Sequence, residues 1–114
     1  MDKKLEDALA FANYRLTLQI QRQNIEARVA AGLLVSYQNA IFKATPDLIA
    51  FAESKSRLGG SLLAEDQSGN VINIEDVGAF LTALSTAYDS AMELKRVEQQ
   101  KLKSARSTAK IVGL

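Results

Sequence analysis

The sequence predicts a mainly α fold, two long helices packed antiparallel with a short helix and a small β-hairpin between them. Three observations carry this. Apolar residues recur at helical spacing over the first forty or so positions and again from about position 75. Thr45-Pro46-Asp47 and Gly59-Gly60 bracket a short apolar-periodic segment. Ser68-Gly69-Asn70 separates two apolar-rich runs, which is the local chemistry of a tight strand connection.

The first element is read as one long helix over about 2–43. Proline is missing from this stretch and Gly32 is its one glycine, while Leu5, Leu9, Ala12, Leu16 and Ile20 repeat at spacings of four and three. A second stripe of Phe11, Tyr14, Leu18, Ile25 and Val29 is placed roughly a third of a turn away, giving an apolar face wider than one neighbour covers. Some 40 helical residues would span about 60 Å, longer than a compact domain of this size is wide. The helix therefore protrudes or breaks near Gly32.

The short helix is expected over 46–58. Thr45 offers an N-cap hydroxyl, Pro46 suits the first helical position, Asp47 complements the helix dipole, and Gly59 supplies the left-handed residue that ends many helices. The hairpin follows over 62–74. It is marginal by itself, so it lies on the helices or pairs with another chain. Asn73 with Asp76, or Glu75 itself, then opens a long helix over 75–105 whose Val77, Phe80, Leu81, Leu84, Tyr88, Ala91 and Leu94 keep helical spacing. Residues 106–114 are expected to form a tail, either a frayed end or a short docking segment. At 114 residues the chain is expected to make a single domain.

Composition narrows the chemistry. Hydrophobic residues make up 47% and charged residues 24%, which argues for a folded chain. With no Cys there are no disulfides or thiolate ligands, and with no His the usual proton shuttle and commonest transition-metal ligand are missing. Fourteen Lys and Arg against 13 Asp and Glu leave a net charge of +1 and no global field. The longest apolar run, Val29 to Val35, is far short of the roughly 20 residues of a membrane span. Glu6 and Asp7 stand where a signal peptide would carry its apolar region, so an intracellular, soluble protein with no membrane partner is expected.

The chemical constellations are sparse. Asp66, Ser68 and Asn70 alternate as ligands do in a calcium loop, yet the glycine falls at the fourth place of that count and Val77 occupies the twelfth, where a bidentate Glu is needed. Hairpin turn chemistry explains the same residues. Lys95, Arg96, Lys101, Lys103, Arg106 and Lys110 form one basic cluster opposed by Glu98. It suits a phosphate backbone or an acidic surface, and equally the solvated end of a helix. No aromatic is interleaved with it, so base stacking is not offered. Glu65, Asp66, Glu75 and Asp76 carry the opposite sign, which allows head-to-tail contact between subunits. Tyr14, Tyr37 and Tyr88 fall at or beside apolar faces, as packing residues do. Ser104, Ser107 and Thr108 have no His partner, and the chain has no glycine-rich phosphate loop. No catalytic residue, metal site or cofactor is expected.

Several short segments, Phe11-Ala12-Asn13-Tyr14-Arg15, Ile41-Phe42-Lys43 before Thr45-Pro46-Asp47-Leu48-Ile49, the hairpin Ala64 to Ile74, and Leu102-Lys103-Ser104-Ala105-Arg106-Ser107 with Lys110-Ile111-Val112, together touch most of the chain. In these it resembles small structural proteins of T-even-like tailed bacteriophages, of the kind associated with the prohead core. The Ala-rich stretch Ala27 to Ala31 and the few aromatics depart from that pattern. The resemblance implies virion assembly in the host cytoplasm, with the virion as a further location, and partners that are copies of the chain or other phage structural proteins.

The expected function is non-enzymatic, a virion structural or assembly protein that self-associates or binds other subunits through Leu9, Leu16, Ile20, Ile25 and Val29. One rival is a nucleic-acid-binding accessory protein that uses Lys101, Lys103, Arg106 and Lys110. Another is a chaperone for a phage tail or fibre protein.

Overall fold

The computed structural model describes residues 2–111, with the side chains of 2–105. Its elements are α1 (Lys3–Gly32), β1 (Leu34–Tyr37), β2 (Ala40–Lys43), α2 (Pro46–Leu58), β3 (Leu62–Glu65), β4 (Val71–Ile74) and α3 (Val77–Ile111). The fold is mainly α, with two long helices, one short helix and two small antiparallel strand pairs. The chain divides into two compact units. One comprises residues 1–28 and 94–114, the other 29–93.

The second unit holds the main core. Phe42, Ala44, Ala52, Leu62, Ile74, Phe80 and Leu84 are fully buried there. Its first hairpin corrects the expected helix over 2–43, since α1 ends at Gly32 and residues 34–43 are strands. The switch is visible in the hydrogen bonds. The Leu33 N–H still donates to the Val29 carbonyl (3.1 Å), while the Leu33 carbonyl already accepts from the Ala44 N–H (2.7 Å). β1 and β2 pair with Val35 opposite Phe42 and Tyr37 opposite Ala40. Gln38 and Asn39 both have positive φ, 50° and 60°, as a two-residue type I′ connection requires. Val35, Ala40 and Phe42 face the core, and Leu34, Ser36, Ile41 and Lys43 face out. This period-two pattern in β-branched and aromatic residues outweighs the helical spacing that overlaps it.

α2 has the expected bounds. The Leu48 N–H donates to Thr45 Oγ1 (3.1 Å), Pro46 occupies the first turn, and Gly59 at φ 72° donates its N–H to the Lys55 and Ser56 carbonyls. No side chain or backbone atom crowds Gly59, so its role is conformational.

β3 and β4 form the expected second hairpin, with Leu62 opposite Ile74 and Ala64 opposite Ile72 on the inner face. Its loop is closed by Asp66, whose Oδ1 accepts from the N–H groups of Ser68 (2.9 Å) and Asn70 (2.8 Å), and by Gly69 at φ 86°. The Gln67 N–H donates to the Ile41 carbonyl (2.8 Å), tying this loop to β2.

Asp76 caps α3, its Oδ1 accepting from the Ala79 N–H (3.0 Å). The start of this helix carries Phe80 into the core, edge-on to Phe42 (centroids 5.0 Å apart) and tilted against Tyr37 (5.2 Å). The Tyr37 hydroxyl donates to the Asp76 carbonyl (3.3 Å), fastening the first hairpin to the helix start. α3 runs on to Ile111, past the expected end at 105, so the backbone over 106–111 is helical instead of a tail. Nothing in Gln99 to Ile111 breaks a helix, there being neither Gly nor Pro. Val112 to Leu114, the last part of that expected tail, lie outside the described residues.

Candidate association surface

The helical unit decides which apolar stripe of α1 is spent within the chain. At about 100° per residue, Leu5, Leu9, Ala12, Leu16 and Ile20 fall close to half a turn from Phe11, Leu18, Ile25 and Val29, not the third of a turn first assigned. The helix therefore carries two separate apolar stripes on nearly opposite sides. α3 takes one of them. Residues 21–28 of α1 and 98–105 of α3 line common grooves in antiparallel directions, with Ile25 and Leu102 between them. Three ion pairs border the contact: Lys95 with Glu26 (3.4 Å), Arg28 with Glu98 (3.7 Å) and Lys101 with Glu98 (3.5 Å). The exposed Lys95–Glu26 pair contributes roughly 0–1 kcal/mol, and Glu98, its side chain 20% exposed, is shared between Arg28 across the contact and Lys101 on its own helix.

The five residues expected to form an association face thus separate into two groups. Ile25 and Val29 are buried, 6% and 4% exposed, and are corrected to internal packing positions. Leu9, Leu16 and Ile20 are 48%, 55% and 47% exposed, and Leu5 beside them is 51%. Phe11 is also exposed, with the Arg15 guanidinium 5.8 Å from its ring centroid.

The basic cluster is partly neutralised. Lys101 is paired with Glu98 and Lys95 with Glu26, while Lys103 lines a groove with Arg22, Ile25, Glu26, Gln99 and Leu102. The side chains of Arg106 and Lys110 lie outside the described residues. Among the acids, Asp66 closes the hairpin loop and Asp76 caps α3, so both have structural work, whereas Glu65 and Glu75 are exposed. The alternation of Asp66, Ser68 and Asn70 is accounted for by that loop, and no group of three or more carboxylates among the described residues is arranged to hold a metal ion. No helix among the described residues is long and apolar enough to cross a membrane.

Sequence reasoning missed one apolar surface, the outer face of the hairpins. Leu63 and Val71 on β3 and β4 are 66% and 65% exposed. Leu34 and Ile41 are also exposed on the outer face of the first hairpin. The available signal was strand alternation, which puts Leu63 and Val71 on the face opposite Leu62, Ala64 and Ile74. The chain matches no family model, no curated protein and no solved structure.

Proposed function

We propose that this protein is a non-enzymatic structural or assembly subunit that docks on further copies of itself, with the exposed Leu5, Leu9, Leu16 and Ile20 stripe of α1 as a docking surface. One observation carries this: Leu5, Leu9, Leu16 and Ile20 stay about half exposed along one side of a helix whose opposite side is buried at Leu18, Ile25 and Val29. A helix apolar on two sides is normally enclosed on both. The resemblance to prohead-core-type phage proteins supplies the setting, assembly of a virion in the host cytoplasm.

The test is the mass of the purified full chain by light scattering over a concentration series. Association that is lost in the Leu16→Asp, Ile20→Asp double variant supports the reading. A wild-type monomer at all concentrations overturns it. Mass spectrometry of purified virions then separates a virion component from a chaperone that leaves before completion.

A further inference from the structure

No Asp or Glu occurs from Ala8 to Ile25 or from Gln99 to Leu114, and these two stretches hold Arg15, Arg22, Lys101, Lys103, Arg106 and Lys110. α1 and α3 run antiparallel here, with Ile25 beside Leu102 and Arg22 lining one groove with Lys103. The acid-free stretches, far apart in chain order, therefore lie side by side in the helical unit.

The cations divide between two sides of the helix pair. Lys101 lines the groove that holds Arg28 and Glu98, and its ammonium is paired with that carboxylate (3.5 Å). Lys103 lines the other groove with Arg22 and Gln99, where the one acid, Glu26, is already paired with Lys95 (3.4 Å). Arg15 is seven residues from Arg22, about 10 Å along α1 and about 20° from it around the helix. Arg106 and Lys110 follow Lys103 at spacings of three and four on α3.

Phe11 belongs to the same side. It lies about 20° from Arg22 around α1, and Phe11, Tyr14, Arg15 and Arg22 line one hollow. The Phe11 ring is exposed, Tyr14 is half-buried, and the Arg15 guanidinium is 5.8 Å from the Phe11 centroid. The basic run of α3 has no aromatic residue of its own in sequence, and packing beside α1 supplies one. Leu9 and Leu16 lie about a third of a turn from Arg15 and Arg22, so the apolar stripe is a separate surface.

We infer that this side of the α1 and α3 pair binds single-stranded nucleic acid, with backbone phosphates on Arg15, Arg22 and Lys103 and a base stacked on Phe11. A strand presents charge of one sign at every nucleotide, and a row of cations with no free acid among the described side chains matches it along its length. An acidic protein surface offers no planar group to the exposed ring. A duplex leaves the ring without a use, because its bases are already stacked on one another. Strand binding and docking through the stripe occupy different sides of α1 and are compatible.

The experiment titrates the full chain into fluorescein-labelled oligothymidylate and oligouridylate of about 20 nucleotides and reads anisotropy between 50 and 200 mM NaCl. Five cations on phosphate, Arg15, Arg22, Lys103, Arg106 and Lys110, give a slope of about −3.5 in log affinity against log salt, a loss of about a hundredfold over that range. Arg22→Gln with Lys103→Gln should weaken binding about tenfold or more and reduce the steepness by about 1.4. Lys101→Gln, the same charge removed from the opposite side, should leave the slope near the wild-type value. Phe11→Leu should weaken binding about fivefold or more with the slope unchanged. Circular dichroism confirms native helix content in each variant.

Binding of either strand in this pattern supports the inference. Failure to bind both at 50 mM NaCl overturns it, and so does a Lys101→Gln effect equal to that of Lys103→Gln, which would reduce the binding to net charge. A duplex bound as tightly as the single strand, or Phe11→Leu without effect, overturns the stacking and the single-strand assignment. Self-association abolished by Arg22→Gln with Lys103→Gln, in a chain that binds no strand, would assign this face to an acidic surface of a second copy and overturn the inference, while leaving self-association itself standing.

Discussion

Replacing Leu16 and Ile20 by Asp, compared with the same exchange at Leu18 and Ile25, tests the two-sided character of α1 directly. The two pairs lie on nearly opposite sides of one helix, so they have the same chemistry and different surroundings. Leu16 and Ile20 are 55% and 47% exposed. Full burial of such a side chain stabilises by about 1.5–3 kcal/mol, so half of that, about 1 kcal/mol each, remains available to an interface. Losing both removes about 2 kcal/mol, and forcing two Asp against an apolar partner adds about 1–3 kcal/mol for unpaired polar groups. The sum, about 4 kcal/mol, is about a thousandfold in Kd.

The cost to the helix itself is small, below about 1 kcal/mol per exchange on intrinsic propensity. The control behaves in the opposite way. Leu18 and Ile25 are buried, Ile25 beside Leu102 of α3, so Asp at both strands charge in apolar surroundings and should unfold the helical unit. Sedimentation equilibrium over a concentration series, with circular dichroism at 222 nm, reads both effects. A Leu16→Asp, Ile20→Asp chain that associates with unchanged Kd would refute the assignment of this stripe, and a Leu18→Asp, Ile25→Asp chain of native helix content would refute the packing of α1 on α3.

The other expectations concern stability. Phe80→Ala should destabilise the hairpin unit by about 3–5 kcal/mol in urea denaturation, because the ring is fully buried between Phe42 and Tyr37. A loss below about 1 kcal/mol would mean that the core is not centred there. Thr45→Ala should cost about 1 kcal/mol through the lost N-cap bond to Leu48, with Thr45→Ser close to neutral. Gln38→Asn with Asn39→Gly should stabilise by about 0.5–1 kcal/mol, since both positions sit at positive φ where those residues are preferred. A destabilised variant would argue against the type I′ connection. Glu98→Gln should cost about 1 kcal/mol, less at high salt, because the half-buried Glu98 carboxylate is shared by Arg28 and Lys101, whose own charged ends are exposed to screening.

The sequence by itself determined what is encoded locally. Thr45, Pro46 and Gly59 carry both ends of α2 because capping depends on a few adjacent backbone groups. Asp66 and Gly69 carry the second hairpin turn for the same reason. The first hairpin was hidden. Gln38-Asn39 lacks the glycine that marks most type I′ turns, and Val35, Ile41 and Phe42 fit a helical stripe as readily as a strand.

Only the tertiary structure decided the rest. Two apolar stripes on α1 are equally legible in the letters, and which one stays exposed depends on where α3, some 70 residues further along, packs. The same holds for Leu63 and Val71, whose exposure follows from the inward turn of Leu62 and Ile74 towards the core. Local rules act through a handful of neighbouring groups, whereas burial is a competition among every apolar surface the chain can bring together.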